Sequence, residues 1–376
     1  MHIVDAAVHP LTVRQEDLRL YMSEPWRSNA YIPPVERYDF IPPNGGYLPE
    51  LVSDIRYLGK SFRDPQSETS RVLGKAGALE SKADAMPGSD PEIAARYLVD
   101  KGVDVAILVP KTRGIISDVN LGAVVCSAMN DWLAATWLTQ WNQAGRYRGS
   151  IRIDPRDPHA AIAEIERWST NPKMVQVAVP LESASLYGRK EYEEIWRTAA
   201  KHGLPLAVMA EGNFGMEGIR YFVELSLLGP LNIYEHLISL LVEGVLERVP
   251  DLKLVFVDGG YDMLYPLFWR TNKDWYGTRV ETPWVKKLPT SYFEGRIYFC
   301  MNPLEAGPTD PAAQASWWEI SNGANTVMYA SRFPGWTYVD PQTASESVPE
   351  ALRVRVMGGN ASALYGLQPK SLSKAN

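Results

Sequence analysis

Short apolar runs recur along the chain, each closed by a proline, a glycine or a polar residue, and most are followed by a stretch with helical spacing. "VDVAILVP" (103–110), "MVQVAVP" (174–180) and "LKLVFVDGG" (252–260) are continuous rather than alternating. Such runs suit strands covered on both faces, as in a parallel sheet. The other runs are "MHIVDAAV", "YRGSIRID", "LPLAVMAE", "RIYFCMN" and "NTVMYAS". Helical spacing is read over 91–102, 119–143, 158–169, 190–202, 231–249, 262–276, 310–321 and about 346–357, with Gly102 as a helix-ending glycine. Strand and helix alternating in this way predict an α/β fold, a (β/α)8 TIM barrel. A doubly wound open sheet is the alternative, but no G-x-G-x-x-G turn follows any strand.

The rhythm is broken once. Residues 11–90 are rich in proline, glycine and polar residues ("IPPNGGYLPE", "ADAMPGSDPE") and read as a long insertion after strand one, covering the barrel mouth or making contacts outside it. The whole of 1–376 is then one barrel domain, a normal length for this architecture with insertions. A core of that size needs no disulfides. Cys126 and Cys300, both in apolar surroundings, read as buried free thiols suited to a reducing cytoplasm.

The formal net charge of −6, without a basic block, argues against nucleic acid as a partner. No apolar run is long enough to span a membrane, and no signal peptide is recognised, so a cytoplasmic location is expected. Twelve Trp and nineteen Tyr call for large aromatic surfaces in a pocket or at a subunit interface.

In a TIM barrel, chemistry sits where the strands end at their C-terminal edge. Those positions are His9, Pro110, Asp154, Pro180, Met209, Asp258, Asn302 and Arg332.

Several segments, in order, resemble the amidohydrolase-related (amidohydrolase 2) family. They are "EGVLERVPDLKLVFVDGGYDMLYPLFWRTNKDW" (243–275), "NTVMYASRFPGW", the ending "GNASALYGL" (359–367) and the early "YMSEPWRS". The resemblance implies a barrel with one or two divalent metals. The family's ligands are an H-x-H pair after strand one, a His after strand five, a His or acidic residue after strand six and an Asp after strand eight. Placed on this chain, those positions read Ala7 and His9, Met209, Asp258 and Arg332, with Gly335 where the strand-eight motif has its His. A helical E-H-H segment of some relatives reads Glu224, Leu225, Ser226.

Alanine offers no donor, a thioether binds hard divalent ions poorly, and Arg332 puts a permanent cation where a metal needs a carboxylate. His9 and Asp258 remain as candidate ligands, short of the three or four a metal site needs. A two-metal centre is not expected. A single metal would need help from Asp5, Glu211 or His236. Arg332 is expected to pair with Asp258, which would otherwise be buried alone at a cost of roughly several kcal/mol.

Blander readings stand beside these. His9 reads as a hydrogen-bonded relic of the mouth, His236 as core or interface, His159 as part of a helix start, and His202 as a helix C-terminus. Glu211 and Asn213, after strand five, either touch substrate or cap a helix. "DWYGTRVETPW" is either a subunit contact or a pocket lid. No catalytic triad and no phosphate loop can be assigned.

The resemblance leaves two functions open. In one, the chain is a non-catalytic accessory subunit of a metal-dependent monooxygenase, similar to the supporting partner in a two-subunit hydroxylase of small amino acids such as α-aminoisobutyrate. The Mn/Fe dinuclear centre then lies in a homologous catalytic subunit of a hetero-oligomer, and this chain carries no metal or at most one divalent ion. In the other, the chain is a self-sufficient mononuclear metal-dependent hydrolase or decarboxylase of a small carboxylate, with Asp258 as base or ligand and Arg332, Glu211 and Asn213 around the substrate. A small-molecule binding protein using the same Arg pocket is the bland third option.

Overall fold

The computed structural model describes residues 1–10, 12, 15–30, 90–111, 116–211, 222–259, 261, 264–301, 310–333 and 339–368. Most of the 11–90 segment lies outside them; two short helices, Gln15–Arg19 and Trp26–Asn29, belong to its start.

Eight parallel strands form one sheet in chain order: β1 (Val4–Val8), β2 (Val105–Leu108), β3 (Tyr147–Arg152), β4 (Met174–Pro180), β5 (Leu206–Met209), β6 (Leu254–Val257), β7 (Ile297–Met301) and β8 (Val327–Tyr329). Each strand lies beside the next, the order of a (β/α)8 barrel. The principal helices are α1 (Pro91–Asp100), α2 (Val119–Trp132), α3 (Pro158–Trp168), α4 (Glu193–Lys201), α5 (Phe222–Val242), α6 (Leu264–Thr278) and α7 (Pro311–Ile320). Asp-Pro pairs start three of them: Asp90 accepts the Glu92 N–H, Asp157 the Ala160 N–H and Asp310 the Ala313 N–H, with proline at the first helical position, where its missing N–H costs nothing.

Three helix boundaries differ from the spacing. The 119–143 stretch ends in a π-helical segment, Leu133–Gln140, whose Leu133, Trp137 and Leu138 are buried. The 231–249 stretch begins earlier, at Phe222, and breaks at Gly244, whose left-handed φ of 71° starts a separate turn, Val245–Arg248. The 346–357 stretch starts only after Pro349, as Glu350–Val354, and continues through a π segment, Arg355–Gly359, into Asn360–Tyr365.

Strand alternation sorts the core into two layers. Ala106, Leu108, Val177, Val179, Leu206, Val208, Leu254, Phe256, Ile297 and Phe299 pack in one cluster with the helices. Val105, Ile107, Val109, Ala207, Met209, Val255, Val257, Cys300, Met328 and Ala330 pack with Ala6 and Ala7 in another, the barrel interior. Each fully buried side chain of this size contributes about 1.5–3 kcal/mol. Leu364 and Leu367 join the inner cluster from the C-terminal helix. Nearby, Tyr365 Oη donates to Gln176 Oε1 (2.7 Å), Gln176 Nε2 to Ser150 Oγ (2.8 Å), and Ser150 Oγ to the Leu108 carbonyl (2.8 Å).

The seam between β8 and β1 is closed differently from the other strand pairs. The Asp5 carboxylate accepts the Ser331 N–H at 2.9 Å, and the His9 N–H donates to the Phe333 carbonyl at 2.8 Å. Ser331 Oγ in turn accepts the Phe333 N–H at 2.9 Å.

Candidate active site

Three strand ends bring His9, Asp258 and Arg332 together. His9 follows β1, and its Nδ1 lies 2.9 Å from the Val109 carbonyl at the end of β2. Its Nε2 lies 2.8 Å from Asp258 Oδ2, a close ionic approach in which the ring N–H is off line for a hydrogen bond. Both ring nitrogens therefore face acceptors.

Asp258 follows β6, with its N–H donated to the Cys300 carbonyl at 3.0 Å. Arg332 follows β8; its Nη2 donates to the Asp258 carbonyl at 2.7 Å, and its Nε lies 3.7 Å from Asp258 Oδ1. Asp258 (φ 72°) and Arg332 (φ 59°) are both left-handed, and the third such non-glycine residue among those described is Asn322. Asp and Asn tolerate this region far better than a long side chain, for which it costs about 1–2 kcal/mol.

Burial pushes the Asp258 carboxyl up, but the charges of His9, Arg332 and Lys111 outweigh it and hold the group well below the usual carboxylate range. The Asp258 carboxylate thus faces two permanent cations, Arg332 and Lys111, besides the His9 ring. Asp5 behaves oppositely. Burial raises its pKa to about 6, against the Ser331 and Ala7 hydrogen bonds and the charge of His9. Its Oδ1 accepts from Ser331 and, at 3.3 Å, from Ala7; its Oδ2 is buried without a hydrogen-bond partner among the described residues.

The remaining expected residues lie elsewhere or are already engaged. Met209, fully buried, belongs to the apolar interior with Ala7, Val257, Cys300 and Ala330. Glu211 accepts Arg152 Nη2 at 2.6 Å. His236 is core: its Nε2 donates to the Leu181 carbonyl (2.9 Å), its Nδ1 accepts the Tyr187 N–H (3.3 Å), and burial lowers its pKa to about 4. His159 is exposed near the start of α3, and His202 caps the end of α4. Asn213, Asn302 and Gly335 lie outside the described residues, as do the side chains of Glu224, Leu225 and Ser226.

These donors do not fit the metal centre that the resemblance implies. Asp5, Glu211 and His236, which would have to complete it, are each engaged by other groups, and a guanidinium stands against Asp258. Among the described residues, no three His, Cys, Asp or Glu side chains are grouped to hold a metal ion.

Two site-lining groups escape a reading confined to strand ends. Arg152, within β3, is fully buried and reaches Glu211 across the barrel mouth. Lys111, just beyond β2, acts on Asp258. The signal for Arg152 is in the sequence: an arginine inside an apolar run of a sheet covered on both faces must find a carboxylate. The "DWYGTRVETPW" stretch and the neighbouring α6 expose Trp269, Tyr276, Val280 and Trp284, while Trp284 Nε1 donates to the Val242 carbonyl.

Comparison with known proteins follows the same outline. The sequence profile described as "Amidohydrolase" matches residues 4–367. No curated protein matches the chain. An amidohydrolase from Mycobacterium avium subsp. paratuberculosis superposes with a TM-score of 0.71 at 15% identity, over 98% of this chain and 99% of that one. The 5-carboxyvanillate decarboxylase of Novosphingobium aromaticivorans, with bound manganese and a nitrobenzoic acid, gives 0.68 at 17% identity over 97% of each chain. The 2,6-dihydroxybenzoate decarboxylase of Rhizobium gives 0.62 at 16%, over 98% of this chain and 99% of that one. At such identities the similarity speaks for the fold alone.

Proposed function

Because the chain belongs to the amidohydrolase family, we propose that its barrel mouth takes a small, carboxylate-bearing substrate, an aromatic acid in the first instance, and that a fixed guanidinium does the work of charge recognition. The observation that carries this reading is the convergence of His9, Asp258 and Arg332, with Lys111 nearby, into a site with more cationic side chains than carboxylates. Such an excess favours an anion, and a guanidinium grips a carboxylate through two parallel N–H donors. The similarity to decarboxylases of aromatic acids supports the substrate class.

The reaction is a decarboxylation. A proton held between His9 Nε2 and Asp258 Oδ2 is delivered to the substrate carbon that bears the carboxylate. The C–C bond then breaks, carbon dioxide leaves, and the electron pair of that bond restores the ring. The pair regains its proton from water. The hydroxide that water leaves combines with the carbon dioxide as bicarbonate, so one water is consumed, atoms and charge balance, and no step runs through a metal.

The test is binding of 2,6-dihydroxybenzoate and benzoate to EDTA-treated protein by calorimetry, with carbon dioxide release followed in parallel. Binding should survive EDTA and weaken about 10- to 100-fold in Arg332→Met, the value of a charge-assisted hydrogen-bonded pair of about 1.5–3 kcal/mol. Failure of every small carboxylate to bind would overturn the reading.

A second reading, the accessory subunit of a metal-dependent hydroxylase, draws on the exposed aromatic surface of Trp269, Tyr276 and Trp284. Co-expression with a homologous, ligand-complete barrel chain would test it. A stable hetero-oligomer with metal only in the partner favours this reading over self-sufficient turnover.

A further inference from the structure

We infer that the Arg332 guanidinium fills the position of a bound cation at the barrel mouth, so that one substitution, Arg332→Asp, converts this site into a divalent-metal site. The inference concerns the same mouth as the proposed carboxylate site but does not depend on turnover or on substrate binding.

Three observations carry it. First, imidazole, carboxylate and guanidinium converge from the ends of β1, β6 and β8, with Asp258 contacted on one oxygen by His9 and facing Arg332 with the other. A carboxylate with an imidazole against one oxygen and a guanidinium 3.7 Å from the other has its charge balanced by side chains, as a bound cation would balance it. Second, Arg332 holds a left-handed φ of 59°, a conformation that favours Asp or Asn and is strained for arginine. The backbone at this position suits the residue that would ligate. Third, Met209, Ala7, Val257 and Ala330 furnish no competing charge on the interior side. With Asp at 332, the donors are two carboxylates and one imidazole, to which water adds a fourth, enough for zinc or manganese.

The experiment is titration of metal-stripped protein with Zn²⁺ and with Mn²⁺ by calorimetry, and with Co²⁺ by visible absorption. The proteins are wild type, Arg332→Asp, Arg332→Met and the double variant His9→Ala/Arg332→Asp. Arg332→Asp should bind one equivalent at least 100-fold more tightly than wild type and show the absorption bands of protein-bound Co²⁺. Arg332→Met, which removes the charge without adding a donor, should not, and the double variant should lose the gain. One tightly held equivalent in wild type, no gain in a folded Arg332→Asp, or a gain indifferent to His9 would each overturn the inference. Should Arg332→Asp fail to fold, Arg332→Glu takes its place: the same gain over wild type is expected, and a folded Arg332→Glu without it overturns the inference. Failure of the carboxylate reading would show instead as absent benzoate binding, with the metal titrations unchanged.

Discussion

Two of the arginine–carboxylate pairs at the barrel mouth are treated by the chain in opposite ways. Arg152 sits in a regular strand, fully buried, with its N–H donated to Asn130 Oδ1 (2.7 Å) and its carbonyl accepting Asn130 Nδ2 (2.8 Å). Its Nη2 meets Glu211 at 2.6 Å. Arg332 and Asp258 sit on left-handed turns beyond their strands, their side chains 13% and 10% exposed, with a looser 3.7 Å separation. A charge pair locked by regular backbone and short contact belongs to the architecture. A pair on strained turns, with a loose contact and an opening to solvent, can exchange one carboxylate for another. The difference separates a structural ion pair from one poised to receive a ligand.

The strongest way to break this contrast is to cut the Arg152 pair. Glu211→Ala or Arg152→Met leaves a buried charge without its partner and should cost about 3–5 kcal/mol. Urea unfolding should show a lowered midpoint with an unchanged slope. The double variant Arg152→Met/Glu211→Leu, which removes both charges, should recover most of the loss. A single-variant cost below about 1 kcal/mol, the range of exposed pairs, would put the two pairs in one class after all.

A somewhat smaller effect concerns the seam that positions Arg332. The folded state raises the Asp5 pKa to about 6, above its ordinary value of 3.8, so folding favours its protonated form. That contribution is fully present below about pH 4 and is lost as pH rises through 6, a swing of about 3 kcal/mol at 1.36 kcal/mol per unit. Asp258 and His236 act in the opposite direction; the Asp258 window lies below the usual carboxylate range, but His236, lowered to about 4 by burial, gains stability over the same pH range in wild type and variant alike. Stability measured between pH 4 and 7 should therefore rise in Asp5→Asn, which preserves the acceptor for Ser331, and rise by about 3 kcal/mol less in wild type. A wild-type profile parallel to that of Asp5→Asn would remove Asp5 as the titrating group.

How far the sequence disclosed this arrangement differs between the two pairs. The barrel was legible because buried parallel strands are continuous apolar runs, and strand ends then named His9, Met209, Asp258 and Arg332 directly. The Arg152–Glu211 pair was not, since it joins residues 59 positions apart whose common height depends on the register of β3, β4 and β5. The role of Asp5 was hidden for the same reason, its partner Ser331 being 326 residues away. Helix ends were misplaced where π turns, Gly244 or Pro349 override the local periodicity. The 11–90 segment remains an expectation for most of its length.

The smallest effect on stability sharpens the comparison most. Arg332→Asn removes a guanidinium from a left-handed position that Asn accepts readily, so the relief of about 1 kcal/mol of backbone strain offsets part of the lost charge contact. Asp258 keeps His9 at 2.8 Å and the field of Lys111, and does not become a lone buried charge. The net change in unfolding free energy should then fall within about 1 kcal/mol of zero, well below the cost of cutting the Arg152 pair. Carboxylate binding, by contrast, should weaken about 10- to 100-fold, because the amide has neither the charge nor the fork of donors. Unfolding and calorimetry on the same preparation read both quantities. A large destabilisation with binding intact would make Arg332 a structural residue and Arg152 the one to examine for ligand contact.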